Sequence, residues 1–138
     1  MIAYVDSSVV LRLVLGQTGR LREWRRFERG VVSGLVEVEC LRTLDRMRLD
    51  ESLTNDTIAR YREAVYELML KCDAVEPNTS ILRRASQPLP TPVGTLDAIH
   101  LATALTWREQ RDDNLVFATH DRALGLAARS MGFKVLGL

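Results

Sequence analysis

The chain has 138 residues, a length that suits one compact domain spanning 1–138. Apolar residues make up 46% of it and charged residues 27%, with a net charge of +1, a profile that excludes intrinsic disorder. The longest apolar runs are far shorter than the roughly 20 residues that cross a bilayer, and the first residues lack the pattern of a signal peptide. We therefore expect a cytoplasmic protein with no membrane segment.

The chain opens with a short apolar run, Met1–Val5, that stops at Asp6 and two serines. The run is too short for a helix and suits a buried strand. Residues 9–15 then form a mostly apolar helix, with Ser7 or Ser8 as its N-cap and Gly16 as its end. If the strand belongs to a parallel sheet, the acid that follows it lies at the carboxyl edge, where open α/β sheets build their sites.

The segment from Gly19 to Gly30 predicts an amphipathic helix, because its large apolar residues recur on one arc. Arginines recur on the other arc at three- and four-residue spacing, and we call this set the arginine stripe: Arg22, Arg25, Arg26 and Arg29. Such a stripe is suited to the phosphates of an RNA backbone. A face that simply contacts water explains it equally well.

The rest of the chain alternates between short strand patterns and longer helical ones. Strands are expected near 31–33, 74–76, 115–118 and 134–136, and helices near 35–49, 55–72, 79–87, 96–108 and 122–131. Three of the four prolines fall within 88–94, which must be an extended loop. This order predicts an α/β protein with three layers, in which helices cover both faces of a mainly parallel sheet.

Two more acids occupy places equivalent to that of Asp6. Asp97 lies in the first turn of a helix, and Asp121 follows the strand near 115–118. Strand ends and helix starts share one edge of a parallel sheet, so the three carboxylates are expected together. Each acid taken alone is also explained as a helix cap or a first-turn residue.

A fourth acid comes from the helix near 35–49. Glu37 and Glu39 point about 200° apart around the helix axis, so only one of them can face the site. Glu39 lies beside the apolar arc, where a partly buried carboxylate needs a cation. An ion pair between Glu39 and Arg42 within the helix is the structural alternative.

Several carboxylates in one pocket repel each other unless some are protonated or a cation is present. Oxygen ligands without a cluster of histidine and cysteine favour Mg²⁺ or Mn²⁺ over zinc. These ions polarise phosphoryl oxygens and activate water. The chemistry indicated is phosphodiester hydrolysis.

Several stretches of the chain, in this order and spacing, resemble the PIN domain family, and in particular its VapC-type toxin branch. They are Tyr4–Ser8, Ser33–Arg42, Thr95–Ala104, Phe117–Arg122 and Ala127–Gly132. The resemblance implies a Mg²⁺- or Mn²⁺-dependent endoribonuclease that acts as the toxin of a toxin–antitoxin pair. It also implies a homodimer and a small antitoxin that covers the site.

By motif position, the resemblance assigns both catalysis and metal binding to four residues, which we call the acid quartet: Asp6, Glu39, Asp97 and Asp121. It gives the hydroxyls of Ser7 and Thr119 a supporting role. His120 replaces the small residue usual in the family and receives no role. His100 lies one turn after Asp97, and we interpret it as a buried, hydrogen-bonded histidine in preference to a general base. The rival function is a non-catalytic binding or scaffold module on the same fold.

Overall fold

The computed structural model describes residues 1–111 and 114–138. The strands are β1 (Ile2–Val5), β2 (Arg29–Ser33), β3 (Cys72–Val75), β4 (Val116–Ala118) and β5 (Val135–Leu136). The helices are α1 (Ser7–Val14), α2 (Leu35–Asp50), α3 (Asn55–Leu70), α4 (Thr79–Ala85), α5 (Thr95–Arg111) and α6 (Arg122–Ser130).

The five strands form one parallel sheet in the order β3-β2-β1-β4-β5. The first strand is therefore central, and the chain builds outward from it first on one side and then on the other. The strand order therefore reverses its direction at β1. Sheets of this type bind ligands at such a switch point, at the carboxyl ends of the strands.

Alternating side chains on the strands supply the two halves of the core. Ala3 and Val5 of β1 pack in a cluster with residues of α1, α2 and α3. Tyr4 points to the other face, where it packs with Phe117 and the apolar residues of α5 and α6. Helices thus cover both faces of the sheet, which confirms the predicted three-layer α/β/α architecture.

Side-chain caps fix the starts of several helices. The Thr54 hydroxyl accepts from the backbone N–H of Thr57, and the side-chain Oδ1 of Asn78 accepts from the backbone N–H of Ile81. The cap of α1 is different from the prediction. Asp6, not Ser7 or Ser8, accepts from the backbone N–H of Val9.

The helix predicted for Gly19–Gly30 is wrong. Only a 3₁₀ turn forms, over Arg22–Arg26, and the chain then enters β2 at Arg29. Strand pairing overrides the helical pattern here, because Ile2 pairs with Arg29 and the backbone N–H of Glu28 donates to the Met1 carbonyl. A Cβ on Gly30 would lie 2.9 Å from the Cys72 sulfur, so a bulkier residue would also disturb the neighbouring strand.

Smaller differences concern the bounds of the elements. The α3 helix ends at Leu70, and Cys72 opens β3 two residues before the predicted strand start. The α5 helix is longer than predicted at its end. In the part of the chain that the structure describes, no helix is both long and apolar enough to cross a membrane.

Candidate active site

The acid quartet lies at the carboxyl edge of the sheet, beside the switch point. Asp6 follows β1 directly, and Asp121 caps α6 after β4. Glu39 projects from the second turn of α2, which follows β2, and Asp97 lies in the first turn of α5.

Asp6 is the most enclosed member of the quartet, with only 4% of its surface exposed. One carboxylate oxygen, Oδ1, accepts from the Ser8 hydroxyl at 2.7 Å and from the Val9 backbone N–H at 3.3 Å. The other, Oδ2, accepts from the Thr119 hydroxyl at 3.0 Å. Burial raises the pKa of Asp6 above its usual value, although these donors and the nearby His100 imidazole oppose the rise.

Two hydroxyls connect Asp6 to the loop after β4. Thr119 donates to Asp6 and accepts from the backbone N–H of Asp121 at 2.9 Å. Ser8 donates to Asp6 and accepts from the backbone N–H of His120 at 2.9 Å. The sequence pointed to Thr119 but missed this role of Ser8, for which the Asp-Ser-Ser pattern was the available signal.

Glu39 faces the site, whereas Glu37 is exposed on the outer side of α2. Its Oε1 lies 2.6 Å from Nε2 of His100, and its Oε2 accepts from the Ser7 hydroxyl at 3.3 Å. The Arg42 guanidinium instead lies 3.7 Å from Asp45. The alternative pair within the helix is therefore not what holds Glu39.

His100 is 1% exposed and links Glu39 to the sheet. Its Nδ1 lies 2.7 Å from the hydroxyl of Tyr4 in β1. The preferred interpretation, a buried and hydrogen-bonded histidine, is confirmed. Burial raises the pKa of Tyr4 well above its usual value, with the charges of Asp6 and Glu39 adding to the rise, so the phenol stays protonated. It can donate to Nδ1, which leaves the Nε2 proton for Glu39.

The pKa of Asp97 is affected by every other member of the acid quartet. Partial burial is the largest cause that raises its pKa, followed by the charge of Asp121, with Asp6 and Glu39 adding to it and His100 opposing. Asp121 is itself exposed, and its Oδ1 accepts from the backbone N–H of Leu124 at 2.9 Å. The other three carboxylates thus act on Asp97 across a single edge of the sheet.

The donor chemistry of this edge fits a hard divalent cation, since all four acids offer carboxylate oxygens. Nevertheless, within 1–111 and 114–138 no group of three or more acid, histidine or cysteine side chains is already arranged to hold a metal ion. The hydrogen bonds explain this arrangement. Asp6 and Asp121 accept from helix N–H groups, and Glu39 contacts His100, so their oxygens point to protein donors.

A model of the PIN domain family matches residues 3–129 of the chain. The chain belongs to the PIN domain family. No curated protein matches its sequence at a significant level.

Solved structures show the same PIN fold at low sequence identity. The VapBC2 structure from Rickettsia felis, bound to a promoter DNA fragment, is 8% identical with a TM-score of 0.65, covering 98% of this chain and 97% of that one. A toxin–antitoxin complex from Klebsiella pneumoniae is 15% identical with a TM-score of 0.62, covering 86% of each chain. VapBC-1 from nontypeable Haemophilus influenzae is 16% identical with a TM-score of 0.58, covering 98% of this chain and 96% of that one.

The arginine stripe lies elsewhere on this PIN domain. Arg29 occupies the first position of β2 and pairs with Asp73 through its Nε at 2.5 Å. Arg22, Arg25 and Arg26 are exposed in the 3₁₀ turn that precedes this strand start. The stripe thus lies at the amino edge of the sheet, while the acid quartet lies at the carboxyl edge. Its role in RNA binding stays a prediction.

Proposed function

We propose that this PIN domain is a Mg²⁺-dependent endoribonuclease, with Mn²⁺ as a substitute, and the toxin of a type II toxin–antitoxin pair. One observation carries the proposal: the acid quartet gathers at one edge of the sheet, so that the charges of Asp121, Asp6 and Glu39 add to the effect of burial, which raises the pKa of Asp97. Carboxylates that repel one another across a sheet edge are an arrangement that a divalent cation relieves. Strongly perturbed acids also concentrate at functional sites.

In the proposed mechanism, the acid quartet would hold the ion, and hydrogen bonds position three of its members: Asp6, Glu39 and Asp121. A bound divalent ion would polarise the phosphoryl oxygens and activate water. The hydroxyls of Ser8 and Thr119 fix the plane of the Asp6 carboxylate. His100 and Ser7 orient Glu39. Binding requires these carboxylates to exchange some protein donors for the ion, and a carboxylate has about four lone-pair sites to share.

The proposed partners follow from the structural neighbours, which include a toxin–antitoxin complex and two VapBC assemblies. We infer that a cognate antitoxin covers the carboxyl edge and that the chain forms a homodimer acting on cytoplasmic RNA. The fold likeness supports this inference, and the chain's own edge of uncompensated acids suits a partner that brings a positive charge.

The test is Asp97→Asn, assayed on a pooled RNA substrate with Mg²⁺ and with chelator. The amide keeps the shape but loses the charge that would hold the ion, so we expect cleavage to fall by at least about 100-fold, because losses of 10–100-fold are already typical when outer partners of metal ligands are removed. Asp56→Asn, which replaces an exposed acid in the first turn of α3, is the matched control and should cleave as wild type does. Undiminished chelator-sensitive activity in Asp97→Asn would contradict the assignment.

A non-catalytic PIN module for binding or scaffolding is the second candidate. The observation in its favour is that no metal cluster is preformed among the described residues. It predicts that wild type cleaves no RNA with either Mg²⁺ or Mn²⁺ and that neither ion changes the melting temperature. The same assay therefore decides between the two functions.

A further inference from the structure

A shallow groove of about 300 Å³ opens between α2 and the first turn of α5, and we call it the α2 groove. Ser7 and Glu39 line one end of it, next to the acid quartet. Arg42 and Arg46 are also among the residues that line its α2 side. The groove therefore leads directly from the candidate active site to two cations.

The two arginines are available to a ligand. The Arg42 side chain is 71% exposed, and among the described residues its only ion pair is the distant one with Asp45, at 3.7 Å. The Arg46 guanidinium donates to the Thr43 hydroxyl at 3.3 Å, on an exposed face. Positions 39, 42 and 46 share one side of the helix, so the arginines lie about 4.5 and 10.5 Å beyond Glu39 along the helix axis.

The walls of the α2 groove are apolar. Val38 and Leu96 line it and are 51% and 48% exposed, although both are large hydrophobic residues next to a charged site. A polyanion with flat apolar parts matches this combination of exposed guanidinium groups and apolar walls. Single-stranded RNA has this chemistry, because its phosphates bind arginine and its bases contact apolar side chains.

We propose that single-stranded RNA leaves the acid quartet through the α2 groove, with its phosphates on Arg42 and Arg46 and a base against Val38 and Leu96. The proposal rests on the proposed ribonuclease function and adds the path of the substrate. It differs from the arginine stripe, which surrounds the opposite edge of the sheet. A larger cavity of about 710 Å³ lies between α4, α5 and the proline-rich loop, but its walls, within 82–99, contribute no cation.

The experiment measures binding of a labelled single-stranded RNA to the full chain in chelator, where metal-dependent cleavage is prevented, over a range of salt concentrations. The double variant Arg42→Gln, Arg46→Gln should lower the slope of log affinity against log salt by about 1.4, since each phosphate contact on a single strand contributes about 0.7. The matched control is Arg25→Gln, Arg26→Gln, which removes the same charge at the amino edge. Because this variant removes two members of the arginine stripe, it also tests the alternative site: the α2 groove requires the slope to fall more in the groove variant than in this one.

Leu96→Ala separates the apolar walls from the charges. Loss of an apolar contact releases no counterions, so affinity should fall by about three- to tenfold at every salt concentration with the slope unchanged. The substituted side chains are exposed, so we expect all variants to fold. Their melting temperatures show whether unfolding contributes to any loss of affinity.

An unchanged slope in the groove variant would overturn the proposal and leave the apolar walls as a protein-binding surface. A slope that falls only in the amino-edge control would assign RNA to the arginine stripe instead. If both double variants lower the slope equally, RNA binding responds to the overall charge of the protein and not to the α2 groove, and the proposal fails. Cleavage by wild type is scored separately, so RNA that binds in the α2 groove but is never cut would refute the nuclease and retain the groove.

Discussion

The two edges of the sheet carry acids in opposite electrostatic settings. At the amino edge, Glu28 lies 2.6 Å from the Met1 amino group, which lowers the pKa of that carboxyl, and Asp73 pairs with Arg29. At the carboxyl edge, the pKa values of Asp6 and Asp97 are raised, mainly by burial. Glu28 and Asp73 are thus paired with cations, whereas Asp6 and Asp97 are shifted toward the protonated form, a setting that the proposed metal ion would relieve.

The difference also explains why counting charges along the sequence is insufficient. The charges of the arginine stripe and the acid quartet cancel in a simple count, but the two groups lie at opposite edges of the sheet. A carboxylate at one edge is therefore expected to contribute differently from a carboxylate at the other. Substitutions of the same type at both edges test this difference.

The largest expected difference is between Glu39→Gln and Glu28→Gln. The first removes a charge from the acid quartet and should lower Mg²⁺-dependent RNA cleavage by at least about 100-fold, on the same grounds as for a lost metal ligand. The second removes an exposed charge that pairs with Met1 and should leave cleavage unchanged. Initial rates at saturating Mg²⁺ make the comparison, and equal rates for the two variants would remove the distinction between the edges.

A smaller effect is expected at His100, which positions Glu39 from outside the quartet. His100→Leu removes the donor to Glu39, so the Mg²⁺ concentration for half-maximal cleavage should rise by about 10–100-fold. His100→Gln can still donate an N–H near the position of Nε2 and should restore part of the affinity.

Melting temperatures measured in chelator separate positioning from simple destabilisation in the two His100 variants. If both are equally unstable and neither alters the Mg²⁺ dependence of cleavage, His100 is only a core residue.

The smallest effect concerns stability without metal. Because the folded-state pKa of Asp97 is raised, its contribution to stability is present below the usual pKa near 3.8 and is lost as pH rises through the raised value. Asp97→Asn removes this loss and should stabilise the metal-free chain at pH 7 by less than about 1 kcal/mol, since partial exposure screens the charges. Urea unfolding from pH 4 to 7 should show the two proteins converging at acid pH.

Added Mg²⁺ should reverse that order, because the ion stabilises only the folded chain that binds it. We expect wild type to gain about 2.7 kcal/mol at a hundredfold excess over the dissociation constant, and Asp97→Asn to gain much less. A variant that is less stable than wild type in chelator, with no response to Mg²⁺ in either protein, would mark Asp97 as a first-turn helix residue only.

Much of the fold was predictable, because the longer helices have apolar residues at helical spacing and begin after capping residues such as Thr54 and Asn78. The alternation of elements correctly predicted the parallel sheet and therefore the edge at which Asp6, Asp97 and Asp121 meet. Local patterns failed where a distant strand decided the outcome. The apolar arc of 19–30 is helical in spacing, but pairing with β1 turns its end into β2.

The contacts of the site were harder to predict than its location. The sequence placed Glu39 near the site and His100 in the core, but nothing local indicated that they contact each other or that Tyr4 completes the chain of hydrogen bonds. These bonds join residues from different elements across the whole sequence. Their geometry follows from tertiary packing, which no single segment encodes.

The central position of β1 has a consequence for the time at which the site is assembled. Ala3 pairs with Gly30 on one side but with Val116 on the other, so β1 keeps one edge unpaired until β4 has been synthesised. Asp6 likewise receives the Thr119 hydroxyl only after β4 has docked. Such distant pairing slows folding. We therefore expect a nascent chain that ends before β4 to have no assembled acid quartet, so the proposed activity would arise only after β4 has docked.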